Sequence, residues 1–149
     1  MKTNPRRAAF TLIEVLIVVV IMAILAATII PQFTDSTKDA KASTVKFNLA
    51  TLRSQIQLYR AQHSGVNPTG TLVELTTTTD VSGTPGTGAA FAYGPYLREI
   101  PLNPFTNSKS VTVIAVDPAT GAQVTGTGGW LYNATTGNIW IDHADHVSF

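Results

Sequence analysis

The side chains that could most directly do chemistry lie at the end of the sequence. In the stretch "DHADH", two aspartates and two histidines fall within five residues: Asp142, His143, Asp145 and His146. Histidine combined with carboxylate suits zinc or nickel better than calcium, which prefers oxygen ligands. A solvated tail could have the same composition, so both interpretations stay open. The candidate metal ligands are Asp117, Asp142 and Asp145.

Other kinds of chemistry lack the residues that they need. The chain has no cysteine, which excludes disulfides, thiolate zinc sites and cysteine nucleophiles. It has neither a serine elbow nor a glycine loop that binds phosphate. Apart from Lys2, Arg6 and Arg7, the charged residues are seven basic and nine acidic, so nucleic-acid binding is not expected. No catalytic residues are predicted.

One charged residue, Glu14, interrupts an otherwise apolar run over residues 10–30. As a helix this run is about 32 Å long, close to the roughly 30 Å hydrocarbon core of a bilayer. Lys2, Arg6 and Arg7 precede it, so the positive-inside rule leaves the N-terminus in the cytoplasm and the rest of the chain outside. A carboxylate at a bilayer centre costs at least about 2.5 to 3.5 kcal/mol, so Glu14 needs a partner.

Three simpler interpretations of this segment compete. A secretory signal peptide would be cut near Ala26 and Ala27, but the early carboxylate and the lack of an A-x-A site disfavour it. A twin-arginine signal would use Arg6 and Arg7, which alone are a weak motif. A permanent anchor fits the length but leaves Glu14 unexplained.

The stretch "RRAAFTLIEVLIVVVIMAILAATIIPQF" resembles the N-terminus of type IV prepilin-like proteins. The shared features are a basic leader, a small residue, Phe-Thr-Leu-Ile-Glu, a long apolar helix and a proline. The resemblance implies that a prepilin peptidase cuts between Ala9 and Phe10 and methylates the new amino terminus. It also implies that Glu14 registers subunits during assembly and that Pro31 kinks or loosens the helix. Ala9 stands where the family usually has glycine, which predicts slow or altered processing.

The implied cleavage gives Glu14 a cationic partner. An α-amino group at Phe10 would pair with the carboxylate, and in low dielectric such a pair is worth far more than at a surface. Within one helix the two groups are awkwardly placed, so the amine of a neighbouring subunit is the predicted partner. The alternative is a glutamate at headgroup depth, where its cost is low.

Past the apolar run, large apolar residues recur at helical spacing. The spacings of four, three, four and three place five of them on one face: Val45, Leu49, Leu52, Ile56 and Tyr59. Ser64, Gly65 and the pair Asn67-Pro68 are expected to end this helix. We expect the apolar face to support a small sheet.

Two hairpins are expected near the C-terminus. Residues 111–116 and 122–125 flank "DPATG", and residues 130–133 and 138–142 flank "ATTG"; both loops end in glycine, as hairpin loops often do. Strand alternation turns Trp140 away from the helix and four other side chains towards it: Trp130, Tyr132, Ile139 and Ile141. Trp140 is expected either to meet a partner or to lie partly buried under a loop.

The segment between the helix and the strands has little core material. Residues 69–90 contain "TTTT" and "SGTPGTGAA", which predict a loop or surface decoration. The prolines of "YGPYLREIPLNPF" force an extended path. This stretch resembles a segment of the major pseudopilins of type II secretion, with Asn103 where aspartate is usual. Asn133-Ala134-Thr135 fits a glycosylation sequon, which in a tight turn would instead be structural.

The predicted fold is α+β, with a long N-terminal helix packed against a small antiparallel sheet. The predicted division is a leader at residues 1–9, a membrane and filament-core helix at 10–31, an amphipathic stalk helix at 32–64 and a head at 65–149.

The resemblance implies a structural subunit of a type IV pilus-like filament, most similar to the major pseudopilins of type II secretion. The implied partners are further copies of the chain, a prepilin peptidase, an assembly platform, minor pseudopilins and the inner membrane, with the head in the periplasm. Major pseudopilins commonly hold calcium in a late loop; no other cofactor is expected. The alternatives are a true pilin for adhesion, motility or DNA uptake, and a membrane-anchored binding domain that never polymerises.

Overall fold

The fold combines one long helix with a small sheet, as the α+β prediction required. The computed structural model describes residues 10–117 and 122–149. In chain order the regular elements are α1 (Leu12–Gln62), a 3-10 helix (Val73–Leu75), β1 (Val111–Val113), β2 (Trp130–Asn133) and β3 (Asn138–Ile141).

Helix α1 is continuous through position 31. The kink that the resemblance implies at Pro31 stays a prediction. It ends close to the expected stop signals. Gly65 has a φ of 86° and donates its backbone N–H to the carbonyl oxygen of Arg60 at 2.9 Å. Glycine adopts this left-handed conformation without the steric cost that a side chain would add.

The chain divides into two compact units, Met1–Asp39 and Ala40–Phe149. In the first unit, the large apolar side chains are exposed, from 46% for Ile29 in α1 to 86% for Phe10 just before it. Within the described part of the chain, α1 is the one helix long and apolar enough to cross a membrane by length and composition. Its most apolar 18-residue window has a mean hydropathy of 3.0, and none of that window is buried.

The main core lies in the second unit, between α1 and the β2–β3 hairpin. The predicted helical stripe is confirmed, because its five residues are each at most 2% exposed: Val45, Leu49, Leu52, Ile56 and Tyr59. The four predicted strand residues join them in one cluster, with Leu72 and Leu75: Trp130, Tyr132, Ile139 and Ile141. Trp140 lies on the opposite face and packs partly buried against Leu131 and Ile114 with Val124 and Val147.

The sheet is mixed, which corrects the prediction of two antiparallel hairpins. Strands β2 and β3 form the expected antiparallel hairpin, with Trp130 opposite Ile141. Strand β1 instead pairs with β2 in parallel, with Val111 opposite Trp130, and residues 122–125 form no strand. A parallel pair needs a connection of about a dozen residues or more, and residues 114–129 supply it. Most of the "DPATG" turn lies outside the described residues.

Residues 76–94 form a loop, as predicted, and much of it is exposed, but part of it packs into the head. Thr79 is completely buried and exchanges two backbone hydrogen bonds with Tyr93, at 2.9 and 3.2 Å. Its hydroxyl lies 3.1 Å from Nε2 of the buried His63, whose ring stacks on Tyr59 at a centroid distance of 4.0 Å. The loop is therefore attached to the C-terminal end of α1 through a polar contact inside the head.

A truncated chain that starts at Gln32 is expected to be soluble and monomeric and to unfold cooperatively. Of the exposed large apolar residues of the first unit, the truncation leaves only Phe33, while every buried residue of the main core lies at Val45 or beyond. Size-exclusion chromatography and thermal melting check this. A second truncation, starting at Ala50, is the control, because it deletes Val45 and Leu49 and should lose the cooperative transition. A molten product from the longer chain would contradict the placement of the core.

Candidate assembly site and the C-terminal carboxylates

The N-terminus of α1 holds Glu14 in a capping box. The backbone N–H and the hydroxyl of Thr11 both donate to Glu14 Oε2, at 2.8 and 2.7 Å. In return the backbone N–H of Glu14 donates to Thr11 Oγ1 at 3.3 Å. This reciprocal arrangement satisfies amide groups that the first helical turn otherwise leaves unpaired. The cap was not predicted, although "TLIE" has the Thr-x-x-Glu spacing that signals it.

The cap makes a carboxylate in an apolar segment less costly. Glu14 lies in the first turn of α1, where the positive end of the helix dipole stabilises negative charge. Both hydrogen bonds from Thr11 reach the same oxygen, Oε2, and no donor within the described residues reaches Oε1. Glu14 is thus held in one orientation with one oxygen still able to accept a bond.

The surroundings of Glu14 are apolar and exposed. It lines a groove on the helix surface with Phe10, Val15 and Val18. An exposed apolar surface of this length is typical of a segment that contacts lipid or other protein chains, which fits a membrane-anchored protein. Ala9 and the basic residues before it lie outside the described residues, so the predicted cleavage position remains a prediction.

Asp142 is a buried carboxylate whose partners are all hydrogen-bond donors. Its Oδ1 accepts from the backbone N–H groups of Thr125 and Gly126 at 2.7 and 3.0 Å. Its Oδ2 accepts from the hydroxyl of Thr125 and from the backbone N–H of Gly128 at 2.8 Å. Burial opposes ionisation, but these hydrogen bonds outweigh it and hold the pKa of Asp142 below its usual value.

Asp117 lies at the other end of the β2–β3 hairpin. Its two carboxylate oxygens accept from the side-chain amides of Asn133 and Asn138, at 2.9 and 2.7 Å. Asp142 instead follows Ile141, which pairs with Trp130 at the far end of the same strands. At about 3.3 Å per residue, the length of β2 separates these positions by about 10 Å.

The remaining "DHADH" side chains do not join the two aspartates. Asp145 is exposed, while the rings of His143 and His146 stack on each other at a centroid distance of 5.0 Å and both contact the ring of Phe105 at a tilt. Nearly parallel rings direct their in-plane lone pairs alongside each other rather than to one point. Within residues 10–117 and 122–149, no group of three or more His, Cys, Asp or Glu side chains is placed to hold a metal.

Two asparagines singled out by the sequence have structural roles. Asn133 of the sequon is 3% exposed, donates to Asp117 and accepts from the backbone N–H of Thr135 at 3.0 Å, as expected for a turn residue. Asn103 is completely buried; its Nδ2 donates to the carbonyl of Gly129 at 3.0 Å and its Oδ1 accepts from the N–H of Phe105. An ionised aspartate at position 103 could not donate the first of these bonds.

Comparisons with known proteins match both the N-terminal segment and longer stretches of the chain. The family described as the prokaryotic N-terminal methylation motif matches residues 4–30. The chain is also similar to Type II secretion system core protein G of Vibrio cholerae serotype O1, with 26% identity over 107 residues, or 72% of this chain and 71% of that protein. The protein of the same name from Dickeya chrysanthemi is 27% identical over 104 residues, or 67% and 64% of the two chains.

The chain is also similar to a pilus protein. Type IV narrow pilus major component PilA5 of Thermus thermophilus is 39% identical over 61 residues, or 41% of this chain and 53% of that protein. The chain thus spans less than two thirds of the Dickeya and Thermus relatives. No solved structure matches the chain. The N-terminal motif, the long apolar helix with its small sheet, and the similarity over about 70% of the sequence identify the chain as a type IV pilin-like protein, a structural subunit rather than an enzyme.

Proposed function

We propose that the chain is the repeating subunit of a type II secretion pseudopilus, a filament of the type IV pilus class. The observation that carries this proposal is Glu14, a capped carboxylate at the start of an exposed apolar helix. It lies within the N-terminal methylation motif, which covers residues 4–30. A membrane anchor alone needs neither the carboxylate nor the motif.

The chemistry of assembly follows from this end of α1. Before assembly the chain would span the inner membrane once, with its N-terminus in the cytoplasm and its head in the periplasm. Cleavage by a prepilin peptidase before Phe10 would free an α-amino group. That amine, in one copy, would then pair with Glu14 Oε1 of the next copy, while Thr11 retains Oε2. Packing of the apolar helices would bury the pair and remove the exposed side chains from lipid.

The choice of a pseudopilus over a true pilus rests on the extent of similarity. The matches to core protein G run over 104 and 107 residues, beyond the motif and into the head, whereas the pilus relative matches over 61 residues. The higher identity of that shorter match, 39%, keeps a true pilin as the second candidate. The partners expected of a pseudopilin are an assembly platform and minor pseudopilins.

The mature N-terminus is the direct test. In cells that contain a prepilin peptidase, mass spectrometry of the membrane fraction should find a chain that begins with methylated Phe10. The control is a strain without the peptidase, in which Met1 or the intact leader should persist. A cut near Ala27, or an uncut chain in both strains, would contradict the proposal. To separate the two filament types, deletion of the gene should block export of folded proteins; a defect in adhesion, motility or DNA uptake alone would assign a true pilus.

A further inference from the structure

We infer that Asp142 acts as an internal anion that fastens residues 125–128 to the sheet, so that the fold of the head does not depend on calcium. This inference concerns the head alone and is independent of whether the chain forms a pseudopilus or a pilus. It departs from the calcium site that the resemblance implies for a late loop. Its basis is the set of donors around the carboxylate.

The carboxylate of Asp142 has no acceptor position left for a metal. An ionised carboxylate offers about four lone-pair positions, and Asp142 is completely buried with four hydrogen bonds from Thr125, Gly126 and Gly128. Three of the donors are backbone N–H groups, whose positive ends face the carboxylate. A cation placed there would face the same positive ends and would be repelled.

The backbone of the loop also lies close against Asp142. A Cβ atom on Gly128 would lie 2.6 Å from Asp142 Oδ2, so only glycine fits at this position. Calcium needs six to eight oxygen ligands at about 2.3 to 2.6 Å. The described partners of the Asp142 carboxylate oxygens are instead N–H and O–H donors on a glycine-containing loop.

The other two candidate ligands are not placed to complete a site with Asp142. Two ligands of one calcium ion lie at most about 5 Å apart, whereas the length of β2 puts Asp117 about 10 Å from the position of Asp142. Asp117 is also engaged with the amides of Asn133 and Asn138. Asp145 is exposed in the turn after β3.

The test is thermal unfolding of the full chain in detergent. Near-ultraviolet circular dichroism monitors the unfolding, because its signal comes largely from Trp130 and Trp140 in the sheet. The Tm of the wild-type chain should be the same with excess EDTA and with millimolar calcium. Asp142→Asn should lower it by about 5 to 10 °C, because the amide group presents a donor to donors and removes the charge. Added calcium should not restore this loss.

Matched variants make the result specific. Asp145→Asn removes an exposed carboxylate from the same segment and should melt like the wild type. Thr125→Val removes the hydroxyl, which donates to Asp142 and also accepts from the backbone N–H of Thr127 at 3.3 Å, but it leaves the three backbone donors to Asp142 in place. It should give a smaller fall in Tm and remains informative if Asp142→Asn does not fold. A rise in the Tm of the wild-type chain on adding calcium would overturn the calcium independence. Wild-type melting of both Asp142→Asn and Thr125→Val would overturn the fastening role.

Discussion

Glu14→Gln is expected to give a chain that enters the membrane and is cleaved normally but forms few or no filaments. Glutamine keeps the size of the side chain and an oxygen that can accept from Thr11, so the start of α1 should survive. It removes the charge, which leaves the amine of a neighbouring Phe10 buried without a counter-charge. Removing one partner of a buried pair commonly costs about 3 to 5 kcal/mol, and a filament repeats this loss at each contact.

The measurement separates three properties of the variant. Pelleting of sheared filaments reports assembly, membrane fractionation reports insertion, and the mass of the N-terminus reports cleavage. Asp35→Asn is the matched control, because Asp35 is an exposed carboxylate of the same helix whose pairing with Lys38, at 4.0 Å, contributes little. Normal filaments from Glu14→Gln would reduce Glu14 to an interfacial residue. Loss of cleavage would show that the carboxylate serves the peptidase.

If the proposed function holds, the capping box would let Glu14 suit both the membrane and the filament. While the chain is alone in the bilayer, Thr11 and the helix dipole offset part of the cost of the Glu14 charge. Because the cap uses Oε2 only, a second subunit could bind Oε1 without first breaking it. The orientation that Thr11 imposes would then be the orientation that the incoming amine meets.

Local patterns in the sequence predicted the elements whose partners are close in the chain. The stripe from Val45 to Tyr59 follows the helical period, and the β2–β3 hairpin follows from strand alternation around a short loop ending in Gly137. Both are confirmed because a period of 3.6 or 2 residues determines which side chains share a face. The "TLIE" cap had an equally local signal and could have been predicted.

The errors concern pairings over longer distances. Strand β1 could be recognised as a strand, but nothing near Val111 in sequence determines whether its partner runs parallel or antiparallel. Similarly, the burial of Thr79 depends on His63, 16 residues away. Asp117 and Asp142 looked like members of one acidic set, and only the hairpin between them shows that each has its own donors. Composition indicates which polar groups exist, not which ones meet.

Leu52→Asp is expected to abolish the cooperative unfolding of the head. Leu52 is completely buried in the main core, so its replacement loses about 2 to 5 kcal/mol of packing and adds an unpaired carboxylate in an apolar environment. Together these losses are comparable with the roughly 5 to 15 kcal/mol that stabilises a typical domain.

The matched control is Leu58→Asp, the same chemical change on the same helix at a side chain that is 44% exposed, which should melt close to the wild type. Near-ultraviolet circular dichroism of both variants in detergent decides the question. A wild-type melting curve from Leu52→Asp would mean that the helical stripe does not support the sheet, whereas equal loss in both variants would show a general effect of charge on α1 rather than the burial of Leu52.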